Sequence, residues 1–154
     1  LFIEPNKKRR DLAIEFGANR ALDPNTKEFL KIFKDELFEK YDFAIEASGK
    51  LECIETSNQV INQQGGKALI IGNAPFGSNL KINPEMFNKG KSILGTWGGD
   101  TVPERDFEKY TSLILKNRNT IKSLLSKPYS LQEINKAIKD FSKGSIGRPI
   151  IDMT

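Results

Sequence analysis

The residues best equipped for chemistry stand at the start of the chain. Glu4 closes the apolar run Leu1–Ile3, and after Pro5 and Asn6 come four bases, Lys7, Lys8, Arg9 and Arg10. A carboxylate at a strand end can accept hydrogen bonds from a pair of hydroxyls, or it can simply be solvated. Four cations in the first turn of a helix oppose the helix dipole, by about a few tenths of a kcal/mol each, which a nearby anion such as a phosphate would offset. A solvated basic turn is the competing reading. The 154 residues contain no His. With one cysteine, Cys53, the chain also lacks the three or so ligands that a catalytic zinc takes. Cys53 reads as a buried helix residue.

The elements that must position these groups alternate in type. Asn6 can cap a helix whose face carries Leu12, Ala13 and Phe16 and which Gly17 can stop. "ANRALDP" is long enough for a minor strand. The segment from Thr26 to Glu39 then repeats the helical period through Phe29, Phe33 and Leu37. Phe43 to Ile45, Ala68 to Ile71 and "KSILGTW" are short apolar runs of the kind that form buried parallel strands, and Leu51, Ile54 and Ile61 mark a helix between the first two. Thr101 with Glu104, and Ser130 with Glu133, have capping-box spacing. The first box leads into a Phe107, Tyr110, Ile114 stripe; the second leads into Leu131, Ile134, Ile138 and Phe141, with Gly144 as the stop. A strand from Pro149 to Asp152 closes the chain. This alternation predicts an α/β fold, an incomplete doubly wound, Rossmann-like parallel sheet with flanking helices, in a single domain over residues 1–154.

Composition narrows the class further. The net charge of +4 comes from dispersed Lys among interspersed acids, with no stacking aromatics, so a nucleic-acid module is the weaker alternative. No apolar stretch reaches the roughly 18 to 20 residues of a membrane span. The lack of cysteine pairs makes a reducing, cytoplasmic setting the expectation. The chain opens in mid-strand without Met, as a fragment of a larger protein would.

Dinucleotide-binding sheets end their second strand on an acid that meets the adenosine ribose, and Glu4 occupies that place. Taken in order, "FIEPNKKRRDLAIEFGANRALDP", "YDFAIEASG", "GGKALIIGNAP", "GTWGGD" and "GSIGRPIIDM" resemble the cofactor domain of the zinc-type alcohol dehydrogenases, in the medium-chain dehydrogenase/reductase family. The likeness runs from Phe2 to Met153. It implies that Glu4 is the ribose-binding acid and Arg9 the base flanking the adenosine. It implies further that Ala47, Ser48, Ile71, Gly72 and Asn73 line the nicotinamide half of the cofactor, that Trp97 lies beside the nicotinamide, and that Arg148 reaches the pyrophosphate. The acid favours NAD over NADP, although Lys8 and Arg10 are bases that a 2′-phosphate could use. The edge near Ser92–Thr96 resembles the one through which family members join into homodimers or tetramers.

The family's glycine-rich turn and first strand are missing from this chain, and so are its zinc ligands. The expected parent protein is an oxidoreductase that moves a hydride between a small alcohol or aldehyde and NAD, with zinc bound elsewhere, and the chain alone is expected to be inactive. A non-catalytic interaction or dimerisation domain is the alternative.

Overall fold

A computed structural model describes residues 1–144 and 147–153. Of the closing string, Ser145 and Ile146 lie outside the described residues. The chain forms two compact units, residues Leu1–Phe29 with Val102–Thr154, and residues Leu30–Thr101.

The first unit holds two small parallel sheets. Strand β1 (Phe2–Ile3) pairs with β2 (Ala21–Leu22), and helix α1 (Lys7–Glu15) connects them. The Asn6 side chain caps α1, accepting from the amides of Lys8 and Arg9. At the other end Ala18 donates to Ala13 and Gly17 to Ile14, a Schellman arrangement with Gly17 at φ +96°. Later in the chain, β6 (Leu125–Ser130) pairs with β7 (Arg148–Asp152), and α7 (Ile134–Ser142) lies between them in sequence. Helices α5 (Pro103–Lys116) and α6 (Arg118–Lys122) precede them.

The second unit is a three-stranded parallel sheet in the order β3 (Phe43–Glu46), β4 (Lys67–Ile70), β5 (Ser92–Gly95). Helix α3 (Leu51–Val60) makes the first crossover and short α4 (Glu85–Asn88) lies in the second. The unit's buried apolar residues are Leu37, Ile54, Val60, Ile61, Ala68 and Met86. Because side chains alternate along a strand, Phe43 and Ile45 take the face opposite Ala44 and Glu46. That opposite face is bare: Phe43 is 70% exposed, Ile45 69% and Leu94, in register with Ile45 through Leu69, 48%.

All the expected strands form, within a residue or two, and every pairing between strands is parallel. Three expectations need correction. The helix from Thr26 is α2 only over Lys27–Ile32. It continues as a π-turn over Phe33–Leu37, where an i→i+5 bond from Phe38 to Phe33 ends it, and Glu39 then turns at φ +55°. Thr101 and Glu104 form no capping box. The cap position falls on Val102, whose amide donates to Asp106 Oδ2 at 2.9 Å, while Thr101 Oγ1 bonds to the Gly98 carbonyl. The helix that follows forms as expected, and its Phe107, Tyr110, Ile114 stripe is exposed. Cys53 is half-buried, not buried.

The second capping box does form: Ser130 and Glu133 exchange side-chain to backbone hydrogen bonds at the start of the helical segment that becomes α7. Ser130→Ala should therefore cost about 1 kcal/mol, read as a lower denaturation midpoint.

Candidate functional site

In the first unit the opening bases find internal acids. Lys7 pairs with Asp11 at 2.7 Å, Arg9 with Glu4 at 3.8 Å and Arg10 with Asp23 at 3.0 Å. Arg10 also donates to the carbonyls of Glu4 and Pro5, both at 2.7 Å, which ties the helix to the end of β1. Much of the charge that would oppose the helix dipole is thus met by the chain itself. Glu4 accepts from the Asn6 amide at 2.9 Å through one oxygen and faces Arg9 with the other, so two sequence-predicted site residues meet. The Arg9 side chain is 41% exposed, so the pair is weak and open to competition from a ligand.

Beside this pair lies a depression of about 430 Å³ lined by Asn6, Lys7, Lys8, Tyr129, Asp140, Lys143 and Gly144. Asn6 Nδ2 donates across it to the Gly144 carbonyl at 3.2 Å. Arg148 opens β7 with its amide donating to Leu124 and its side chain exposed; among the described residues nothing ties it to the Glu4–Arg9 pair.

In the second unit the site lies beyond the carboxyl ends of β4 and β5, where ligands bind in open α/β sheets. A depression of about 390 Å³ is lined by Ile70, Ile71, Gly72, Asn73, Gly95, Thr96, Trp97 and Asp100. It brings together four predicted residues, Ile71, Gly72, Asn73 and Trp97. Trp97 is 83% exposed, so its indole is free to cover a planar ligand. The Thr96 hydroxyl oxygen is buried without a hydrogen-bond partner, an unmet polar group in the lining.

Ala47 and Ser48 sit in the adjoining loop, held by a residue that the sequence reading missed. Glu46 ends β3, is 4% exposed, and accepts from the Ser48 amide (2.6 Å), the Ser48 hydroxyl (2.5 Å) and the Gly49 amide (3.1 Å). Its signal was present in "FAIEASG": an acid two residues after Ala44 must share that residue's buried face, and a buried carboxylate needs donors, which Ser-Gly provides. Backbones also meet closely here. A Cβ on Gly72 would overlap the Gly49 amide and lie 2.6 Å from Glu46 Oε2, and Gly49 itself has φ +72° with the Asn73 carbonyl against it.

The sequence profile of the zinc-binding dehydrogenases matches residues 1–116. The chain belongs to the zinc-binding dehydrogenase family. Among the relatives of the chain, alcohol dehydrogenase 6 of Peromyscus maniculatus is 23% identical over 151 residues, covering 97% of the chain and 40% of the relative. The class-P alcohol dehydrogenase of Arabidopsis thaliana is 23% identical over 153 residues, again with 40% of the relative covered. Benzyl alcohol dehydrogenase of Acinetobacter calcoaceticus superposes over 99% of this chain and 42% of its own, with a TM-score of 0.86 and 25% identity. A zinc-binding dehydrogenase of Sinorhizobium meliloti, crystallised with NADP, shares the fold at a TM-score of 0.81 and 20% identity. The chain spans about two-fifths of the length of these proteins.

The family's metal finds no seat in this portion. The sequence has no His and one Cys, and among the described residues no group of three or more His, Cys, Asp or Glu is placed to hold a metal ion. The chemistry of the second depression suits a nicotinamide dinucleotide better: it is open at the strand ends, lined by Ile71, Gly72 and Asn73, with the exposed Trp97 indole beside it. Among the described residues no helix is long and apolar enough to cross a membrane.

Proposed function

We propose that this chain is the coenzyme-binding portion of an NAD-dependent alcohol dehydrogenase, and that the complete protein interconverts a small alcohol and its aldehyde. The observation that carries the reading is the clustering of Ile71, Gly72, Asn73 and Trp97 around one depression at the sheet's carboxyl edge, in a chain of this family. Bound NAD would supply the ring that takes up the hydride. The chain's own residues would orient it: Glu4 toward the ribose hydroxyls, Arg9 and Arg148 toward the adenosine and pyrophosphate, and the Ala47–Ser48 and Ile71–Asn73 loops and Trp97 around the nicotinamide half. Zinc ligands would come from residues outside this chain.

NAD is favoured over NADP because Glu4 would repel a 2′-phosphate and Arg10, engaged by Asp23 and two carbonyls, has little left to offer one. The free edge of β5 carries no charge from Ser92 to Gly95, and we assign it to pairing between two copies in a homodimer. The bare Phe43, Ile45, Leu94 face is what a partial domain leaves uncovered, in keeping with the two-fifths coverage of its relatives. A cytoplasmic setting accords with the single Cys53.

Calorimetric titration separates the parts of this reading. The complete protein should bind NAD at micromolar concentration and reduce it when a primary alcohol is added. The 154-residue chain alone should bind far more weakly and turn nothing over, since no glycine-rich phosphate turn occurs in it. Micromolar binding by the chain alone would refute the incomplete site, and no alcohol-dependent reduction by the complete protein would refute the function.

A further inference from the structure

We propose that Glu46 is a positioning residue for the nicotinamide half of the coenzyme, a role that rests on the binding reading above and adds to it a residue outside the expected contact set. Three observations converge on this residue. It sits buried at the end of β3 and gathers the Ser48 amide, the Ser48 hydroxyl and the Gly49 amide, so it fixes the loop that leads into α3. Ser48 Oγ in turn accepts from the Lys50 amide at 3.2 Å, passing that constraint to the cap position of α3. The Glu46 main-chain carbonyl accepts from the amides of Ile71 (2.8 Å) and Gly72 (3.1 Å), and Oε2 lies 2.6 Å from where a Cβ on Gly72 would be.

One residue therefore sets two loops against each other, and those loops bear Ala47, Ser48, Ile71, Gly72 and Asn73. Burying a carboxylate is expensive, and a turn of this length could be held by a neutral Asn or Ser cap. What the charged group adds is rigidity: charge-assisted bonds to several loop donors at once, in a place where the sheet presents backbone to a ligand. A ligand meeting a pre-set loop loses less entropy than one that must order it.

The test compares the complete dehydrogenase with its Glu46→Gln variant, titrating NADH and, separately, AMP. In the variant the amide oxygen can keep the Oε1 position and still accept, but its bonds lose the charge and the Oε2 position becomes an NH2 that faces the Gly49 amide, so the hold on the loop weakens while the side-chain volume stays the same. NADH binding should weaken by about tenfold or more, the scale set by losing a charge-assisted hydrogen bond, while AMP, which reads the Glu4 side, should stay within about twofold. Ser48→Ala should shift NADH in the same direction by less. The double variant should lose less than the sum of the two single changes, because both weaken the Glu46–Ser48 bond. Should Glu46→Gln not fold, the selective loss must still appear in Ser48→Ala.

Unchanged NADH binding in the variants would overturn the proposal, as would parallel losses of NADH and AMP, the signature of a merely structural role. If the unaltered protein binds neither nucleotide, the coenzyme reading itself falls and this inference falls with it.

Discussion

Replacing Gly72 with alanine should lower the stability of the chain by about 3 kcal/mol and abolish coenzyme binding in the complete protein. The added Cβ would overlap the Gly49 amide and stand 2.6 Å from Glu46 Oε2 and 2.8 Å from Gly49 Cα. The obstruction is mostly backbone, which cannot rotate away as a flexible side chain would. Gly49 has little freedom to yield: it turns at φ +72° with the Asn73 carbonyl carbon 2.6 Å from its own Cβ position. Relief must therefore come from moving the Ala47–Gly49 loop or the Ile71–Asn73 loop, both of which are proposed to meet the coenzyme. Gly95 is the contrast. A Cβ there meets nothing nearer than the Ile70 carbonyl at 4.0 Å, so Gly95→Ala should shift the urea midpoint only slightly. Equal midpoints for Gly72→Ala and Gly95→Ala would show that the loops are not in contact as described.

The second large effect concerns Lys91 and Glu39, which meet at 3.1 Å between the start of β5 and the turn before β3. Lys91 is 7% exposed, and its ammonium also donates to the Asn58 carbonyl at 3.3 Å. The Glu39 side chain remains 23% exposed and takes a further bond from Gln63 at 2.6 Å. Removing the two partners should therefore cost unequal amounts. Glu39→Ala strands a buried ammonium and should cost about 2 kcal/mol, below the range for a fully buried pair because water reaches the acid. Lys91→Met leaves an acid that water and Gln63 still serve, and should cost less than half as much.

Burial raises the Glu39 pKa, but the bonds from Gln63 and Lys91 and the attraction of Lys91 outweigh it, so the net shift is downward. A depressed carboxylate pKa contributes stability that is present above the unfolded value and is lost as the pH falls through the folded one. The contribution should therefore fade below about pH 4. Urea midpoints of the parent chain and Glu39→Gln across pH 3 to 7 should converge at the acid end. Parallel curves throughout would remove the ion pair from the account.

Much of the fold was legible because its signals are local. Phe43 to Ile45 and Ala68 to Ile71 are apolar runs too short for helices, and Asn6, Gly17 and the Ser130–Glu133 pair carry the cap chemistry that the structure then uses. What escaped depended on context. Strand β6 contains Lys127 and Pro128, residues that argue against a strand, and it tolerates them through a register irregularity between Leu125 and Pro128 opposite β7. The Thr101–Glu104 spacing was sound, but Pro103 and the Asp106 carboxylate settle the helix start one residue later, on Val102. Nothing local announces the π-turn at Phe33–Leu37, since its apolar spacing is also that of an α-helix.

At the site, the strand-end residues Ile71, Gly72, Asn73 and Trp97 were recognisable from family-like strings, and the structure gathers them around one depression. The pairing of Glu4 with Arg9, and the engagement of Lys7 and Arg10 by Asp11 and Asp23, could not be read from a run of bases, because they depend on where α1 and β2 place their acids. Glu46 escaped because an acid at a strand end looks solvated until the loop after it folds back over the carboxylate.

The central claim concerns the coenzyme, and one comparison reaches it directly: the affinities of the complete protein for NADH and NADPH, with and without Glu4→Ala. NADH should bind at least about tenfold more tightly than NADPH, and the alanine variant should narrow that gap mainly by weakening NADH. Equal affinities that Glu4→Ala leaves unmoved, or no binding of either nucleotide, would contradict it.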